Sequence, residues 1–162
     1  MIYVVGGIES EVAKTTTAVN LAIYLSMQMS RDVLLIDADP SQCSTNFIEA
    51  RKKHTPDCHL KLVRLNGEEI KQQVLKHQSE YDDVVIDCDV GENLKYAMDL
   101  ASRLIIPLSD KELHLWGLVW NLTKLEDLIA ASLKRNKALK SYSFIISKSV
   151  EEQDELYVIK AL

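Results

Sequence analysis

Five short apolar runs constrain this chain more than anything else in it: Ile2–Val5, Val33–Ile36, Val84–Ile86, Leu104–Ile106 and Tyr142–Ser147. Each is too short to be a helix. Each is rich in β-branched or aromatic residues, and most lack the polar alternation of a half-exposed strand. Such runs are strands buried on both faces, which is the condition of a parallel sheet with helices on either side. The segments between them supply the helices. From Lys14, the residues Ala18, Leu21, Ala22, Leu25 and Met29 recur at three and four, forming one apolar face. Helices are also expected over 42–54, 68–79, 92–101 and 110–134. Leu60–Leu65 mixes apolar and basic residues and reads as an edge or half-exposed strand. Pro107 is expected to stop the fourth buried run. The chain closes on an acidic segment, Glu151–Glu155, and a short apolar tail over 156–162. The predicted fold is α/β: a doubly wound, mostly parallel sheet flanked by helices, one domain over residues 1–162 and short at the C-terminus.

The 162 residues carry a net charge of −5, so the whole surface is not a nucleic-acid-binding surface. The three cysteines, Cys43, Cys58 and Cys88, are odd in number and form no CxxC pair, which fits reduced thiols in a cytoplasmic protein. No apolar stretch is long enough to cross a membrane, and MIYVVGG lacks the basic start of a signal peptide. The tail is too short, and its flank too acidic, for a membrane anchor.

In an open parallel sheet, ligands bind beyond the carboxyl ends of the strands. Three polar clusters fall there. Lys14-Thr15-Thr16 follows the first strand and Gly6-Gly7, while Asp37 and Asp39 follow the second run and Asp87 and Asp89 the third. A lysine and threonine opening a helix after a buried strand form the working end of a phosphate-binding loop. The helix start offers unpaired N–H groups, the lysine a mobile charge, and the threonine a hydroxyl for Mg²⁺. Taken singly, each of these residues equally suits a plain helix cap.

Together the segments resemble a known family. Val12-Ala13-Lys14-Thr15-Thr16-Thr17-Ala18-Val19-Asn20-Leu21-Ala22 is similar to the deviant Walker A region of the ParA/MinD partitioning ATPases, P-loop NTPases in fold. Val33–Pro40 with Thr45-Asn46-Phe47 resembles the second motif, Tyr81–Asp87 the Walker B strand, and Arg103–Leu108 the strand after it. The likeness covers about residues 1–148. It implies ATP and Mg²⁺ as ligands, with Val12 and Ala13 in the nucleotide loop. Lys14 would take the β- and γ-phosphates, Thr15 the Mg²⁺, and Thr16 the α-phosphate. Asp39 would position the attacking water with Asp37 beside it, and Asp87 would support Mg²⁺ through water. It further implies an ATP-sandwiched homodimer, a partition partner of ParB-like or small ribbon-helix-helix type, DNA segregation of a plasmid or chromosome, and non-specific DNA as a ligand.

The chain departs from the family where phosphate is cradled. The family loop reads Lys-Gly-Gly-x-Gly/Ala-Lys-Thr-Thr, whereas this one reads Glu9-Ser10-Glu11-Val12-Ala13-Lys14-Thr15-Thr16. The lysine that reaches across the family's dimer is Glu9, and the two glycines are Ser10 and Glu11. Three readings follow: an ATP-binding scaffold with weakened binding and hydrolysis, a nucleotide-independent module that pairs with an intact partition protein, and an ATPase still active despite the changes. Other features read more simply. His54, Cys58 and His59 lack zinc-site spacing. Trp116 and Trp120, with His114 nearby, suit a core or a subunit contact. Lys134-Arg135-Asn136-Lys137 and Lys140 suit a solvated helix end, with DNA contact as the alternative. Cys88 lacks a base that would make it a nucleophile.

Overall fold

The computed structural model describes residues 1–7, 13–54, 60–89, 91–109, 115–147 and 157–161, and at 109, 115–122, 146, 147 and 157–161 the backbone alone. Seven strands form one sheet: β1 (Ile2–Val5), β2 (Val33–Asp37), β3 (Leu60–Arg64), β4 (Asp83–Asp87), β5 (Arg103–Ser109), β6 (Ser141–Ser147) and β7 (Tyr157–Ala161). Their spatial order is β3-β2-β4-β1-β5-β6-β7, with every pairing parallel except β6 with β7. The helices are α1 (Lys14–Ile23), α2 (Cys43–Lys52), α3 (Glu68–His77), α4 (Glu92–Met98) and α5 (Leu115–Arg135).

Alternation along each strand divides the core in two. Val4, Ile36, Ile86 and Leu104 point to the face covered by α3, α4 and α5, where Ile70, Leu94, Met98 and Leu125 meet them. Val5, Val33, Leu35 and Val85 point to the face covered by α1 and α2, against Ala18, Val19, Ala22 and Ile48. The period of two in the strands and of three to four in the helices is therefore read out as two apolar layers, the doubly wound arrangement expected.

Three expectations need correction. The short apolar tail, to which the sequence reading gives no strand, forms one: residues 157–161 pair antiparallel with β6, Tyr157 against Ile146 and Ala161 against Tyr142. Pro107 does not end the fourth run, because β5 continues through it to Ser109. The Ile105 carbonyl accepts from Gly6 N–H at 3.1 Å, so Ile105 faces β1. Pro107, two residues on, faces the same side, where β1 has already ended, and its missing N–H costs no ladder bond. The helix that starts at Lys14 keeps its α-helical bonding only to Ile23; Tyr24–Gln28 form a π-helical turn.

At the amino ends of the strands, Asp83 is buried and pairs with the Arg31 guanidinium and, at 3.1 Å, with the Met1 amine. At the far end of α5, Asn136 is buried and donates to the carbonyls of Met98 (3.0 Å) and Ala101 (2.8 Å), while Ser132 donates to Met98 at 3.0 Å. Arg135 pairs with Asp99 at 2.8 Å. Two members of the basic cluster at 134–137 are thus spent on docking α5 against α4.

Candidate functional site

α1, the helix after β1, packs on one face of the sheet and α4, the helix after β4, on the other, and these two strands are neighbours. A crevice therefore opens at their carboxyl ends. Gly6 makes the packing beneath it close: a Cβ there would lie 2.5 Å from Leu94 Cδ1 and 3.4 Å from Cys88 Cβ. A cleft of about 530 Å³ fills the crevice, lined among others by Ala13, Lys14, Thr15, Thr16, Asp39 and Asp89.

Lys14 is the first residue of α1 and only 7% exposed. The residue before it, Ala13, sits in the left-handed region at φ 49°, a conformation that favours glycine. The α1 start thus presents its unpaired N–H groups to the cleft beside the lysine. The Lys14 ammonium lies 3.4 Å from Asp89 Oδ1.

The two strand-end aspartates differ in their surroundings. Asp37 is held by its own loop, accepting from Thr45 N–H (2.8 Å), Thr45 Oγ1 (2.6 Å) and Asp39 N–H (3.2 Å). Asp39 stands at the cleft wall, where its carboxylate accepts from Ser41 N–H at 2.7 Å. Asp87 is wholly buried and lies opposite Asp37 in the register of β2 and β4. Its Oδ2 accepts from Ser44 Oγ at 2.5 Å, and the Thr15 side chain also bonds to it. The Asp87 carboxyl is pushed up from 3.8 to about 6 in all: burial raises it most, the bonds from Ser44 and Thr15 oppose the rise, and the charges of Asp37 and Asp39 add to it. Burial, with the charges of Asp87, Asp39, Asp37 and Asp89, pushes the Cys88 thiol well up as well, so it is not a ready nucleophile.

The described residues fit a phosphate ligand with a hard cation. Asp87 Oδ1 is buried without a hydrogen-bond partner among them, and a threonine hydroxyl stands beside the same carboxylate at a helix start. Oxygen donors of this kind suit Mg²⁺. No group of three or more His, Cys, Asp or Glu side chains placed to hold a metal ion occurs among the described residues, so a cation here would depend on the threonine hydroxyl and the phosphate as well.

The structure thus brings together Ala13, Lys14, Thr15, Thr16 and Asp39, with Asp87 behind Thr15 and Asp37 behind Asp39. Glu9, Ser10, Glu11, Val12, Cys58, His59 and His114 lie outside the described residues, and the side chains of Trp116 and Trp120 outside the described side chains. Sequence reasoning did not foresee Ser44 as the partner of Asp87, nor Cys43 and Phe47 on the cleft wall. It also missed Asn93. That side chain donates to the Ala38 carbonyl at 2.8 Å and accepts from Gly67 N–H at 2.8 Å, joining the loops after β2 and β3. An asparagine one residue inside a helix carries no signal of such a role.

The description CobQ/CobB/MinD/ParA nucleotide binding domain matches residues 3–161. The chain belongs to this family. No curated protein sequence matches it. Among solved structures, a plasmid partition protein from Borrelia burgdorferi is similar over 95% of this chain and 82% of its own, with 19% identity and a TM-score of 0.69. Cobyrinic acid a,c-diamide synthase from Mycobacterium smegmatis, with bound ATP analog and magnesium, is similar over 94% and 75%, with 20% identity and a TM-score of 0.71. The MinC:MinD cell division protein complex of Aquifex aeolicus is similar over 91% and 69%, with 18% identity and a TM-score of 0.63. At these identities the likeness concerns the fold. No helix among the described residues is long and apolar enough to cross a membrane.

Proposed function

We propose that this member of the family is a partition-type ATP-binding scaffold whose grip on nucleotide is weakened. One observation carries the reading: Lys14 at the start of α1 shares a cleft with Thr15, Thr16 and Asp39, while the buried, partly unpartnered Asp87 stands behind Thr15. When Mg-ATP is bound it supplies a phosphoanhydride for hydrolysis. Lys14 would then neutralise the outer phosphates, and Thr16 would hold the inner one. Thr15 would ligate the cation, with Asp87 supporting it through water. Asp39 would orient a water, with Asp37 fixing the loop that carries it, and Val12 and Ala13 would line the backbone cradle.

The weakening follows from the loop chemistry. Glycine lets backbone N–H groups converge on phosphate, and Ser10 and Glu11 lack that freedom. A carboxylate at ~4 Å from a phosphate charge, at an effective dielectric of ~20, repels by roughly 4 kcal/mol, about a thousandfold in affinity. Glu9 replaces a cation of the arginine-finger kind, whose effect on rate reaches roughly 10³–10⁵.

We further propose a single domain that forms a homodimer in the cytoplasm. It would take a ParB-like or ribbon-helix-helix partner during DNA segregation, contacting DNA non-specifically and membrane not at all. The pairing of Lys14 with Asp89 favours a second reading, a nucleotide-independent module that joins an intact partition protein.

Isothermal titration of the whole chain with Mg-ATP, with oligomeric state read in parallel by light scattering, tests these readings. The expected result is binding weaker than micromolar, improved by the triple change Glu9→Lys, Ser10→Gly, Glu11→Gly. Micromolar binding with turnover would overturn the weakening and establish an active ATPase. A dimer or heterodimer indifferent to nucleotide would establish the second reading.

A further inference from the structure

We propose that Asp89 is a built-in counter-ion for Lys14 that competes with polyphosphate for the cleft and sets its affinity. The inference rests on the reading of this cleft as an anion site and names the residue that opposes the anion. Its basis is geometric. Lys14 is almost wholly buried, so its ammonium can be approached from few directions. Asp89 Oδ1 stands 3.4 Å from that ammonium. Asp89 also lines the same cleft as Thr15, Thr16 and the α1 start. An anion that reaches Lys14 therefore meets a carboxylate already in contact with it.

The loop that carries Asp89 is shaped for this approach. β4 ends at Asp87, whose side chain is taken up by Ser44 and Thr15. The chain then leaves the sheet, and at Gly91 it adopts φ 133°, a conformation that L side chains rarely reach. α4 begins one residue later at Glu92, and Asp89, before it, lines the cleft. Asp89 is 41% exposed while Lys14 is buried. The pair is thus asymmetric: the carboxylate has water beside it to swing into, whereas the lysine is enclosed. A ligand that takes the Lys14 ammonium displaces Asp89, which makes the carboxylate a gatekeeper rather than a permanent plug. An ordinary exposed ion pair contributes little. Here one partner is held in a wall facing the site, so the carboxylate acts on the ligand more than on the fold.

The chemical class it selects against is the polyanion: inorganic triphosphate, and the triphosphate of a nucleotide. A neutral side chain of the same shape removes both the competition for Lys14 and the repulsion of the incoming charge.

The test is equilibrium titration of the whole chain with inorganic triphosphate and, separately, with Mg-ATP. The wild type is compared with Asp89→Asn, Asp89→Ala, Lys14→Ala, the double variant Asp89→Asn with Lys14→Ala, and the triple loop variant Glu9→Lys, Ser10→Gly, Glu11→Gly. Far-UV circular dichroism confirms that each is folded. Asp89→Asn and Asp89→Ala are expected to bind both probes about tenfold or more tighter than the wild type, a gain of ~1.4 kcal/mol or more. The double variant is expected to lose that gain. A carboxylate with a merely structural role would not raise affinity on removal. If Asp89→Asn binds no tighter while the wild type or the loop variant binds and Lys14→Ala does not, the cleft is an anion site and the role given to Asp89 is wrong. If no variant binds either probe, the anion-site reading and this inference fall together.

Discussion

Asp87→Asn should stabilise the protein near pH 8 and leave its stability unchanged near pH 4. The wild-type carboxyl is wholly buried and titrates near 6 rather than 3.8, chiefly through burial. A raised carboxyl pKa in the folded state means that the folded chain holds its proton more tightly than the unfolded chain. The stability from this group is therefore fully present below about pH 4 and is lost as pH rises through about 6. The gap of about 2 units corresponds to about 3 kcal/mol at 1.36 kcal/mol per unit. Asparagine keeps the shape and one acceptor for Ser44 and Thr15, and carries no charge. Placing its NH₂ takes back part of the gain. The expected benefit near pH 8 is about 1–3 kcal/mol, or about 2–12 °C in Tm for a chain of this length. It should shrink to about zero at the acid end. Urea unfolding followed by circular dichroism, from about pH 4 to about pH 8.5 in chelator, measures the difference between the two proteins and cancels the titrations that are not coupled to Asp87. A variant less stable than the wild type near pH 8, or a difference that does not change with pH, would refute the reasoning.

Three further substitutions probe the frame around the cleft. Gly6→Ala places a methyl against Leu94 and should cost about 1–3 kcal/mol in chemical denaturation, partly recovered by adding Leu94→Val. Asn136→Ala strips bonds from the buried carbonyls of Met98 and Ala101 and should lower stability by about 2–3 kcal/mol, with hydrogen exchange rising first at the end of α4. Ala13→Gly relieves a left-handed alanine and should raise the melting temperature, by an amount equivalent to about 1 kcal/mol; a lower value would show that α1 does not start as described.

The strands and their site were legible because burial writes itself into composition. Val33–Ile36 and Val84–Ile86 must be apolar on both faces, and the aspartates that end them must stand where the sheet ends. Lys14-Thr15-Thr16 was readable for the same reason, since a helix that opens with these groups just after a strand exposes them to one place. What was not legible depends on tertiary partners. Pro107 stops a strand in a local reading and is harmless only because β1 is shorter than β5. Tyr157–Ala161 becomes a strand because β6 offers an edge. Ser44 looks like any helix-start serine until β4 brings Asp87 to it. Asn136 reads as part of a basic cluster until α4 supplies the carbonyls it caps. Neighbours across the fold decide each of these, and local pattern does not record them.

The position of β1 in the sheet has a consequence for how the chain is made. It is made before every other strand of the sheet, yet it lies between β4 and β5, and β4 begins only at residue 83. At about 5–20 residues per second, β1 waits roughly 4–16 s for its first neighbour. β2 meets β3 sooner, so the sheet would grow from that pair, take on β4, and only then admit the oldest strand into the slot beside it. Val4 and Val5, wholly buried in the finished molecule, would thus stand open to nascent-chain chaperones over that interval. The crevice between β1 and β4 comes into being late, with that insertion.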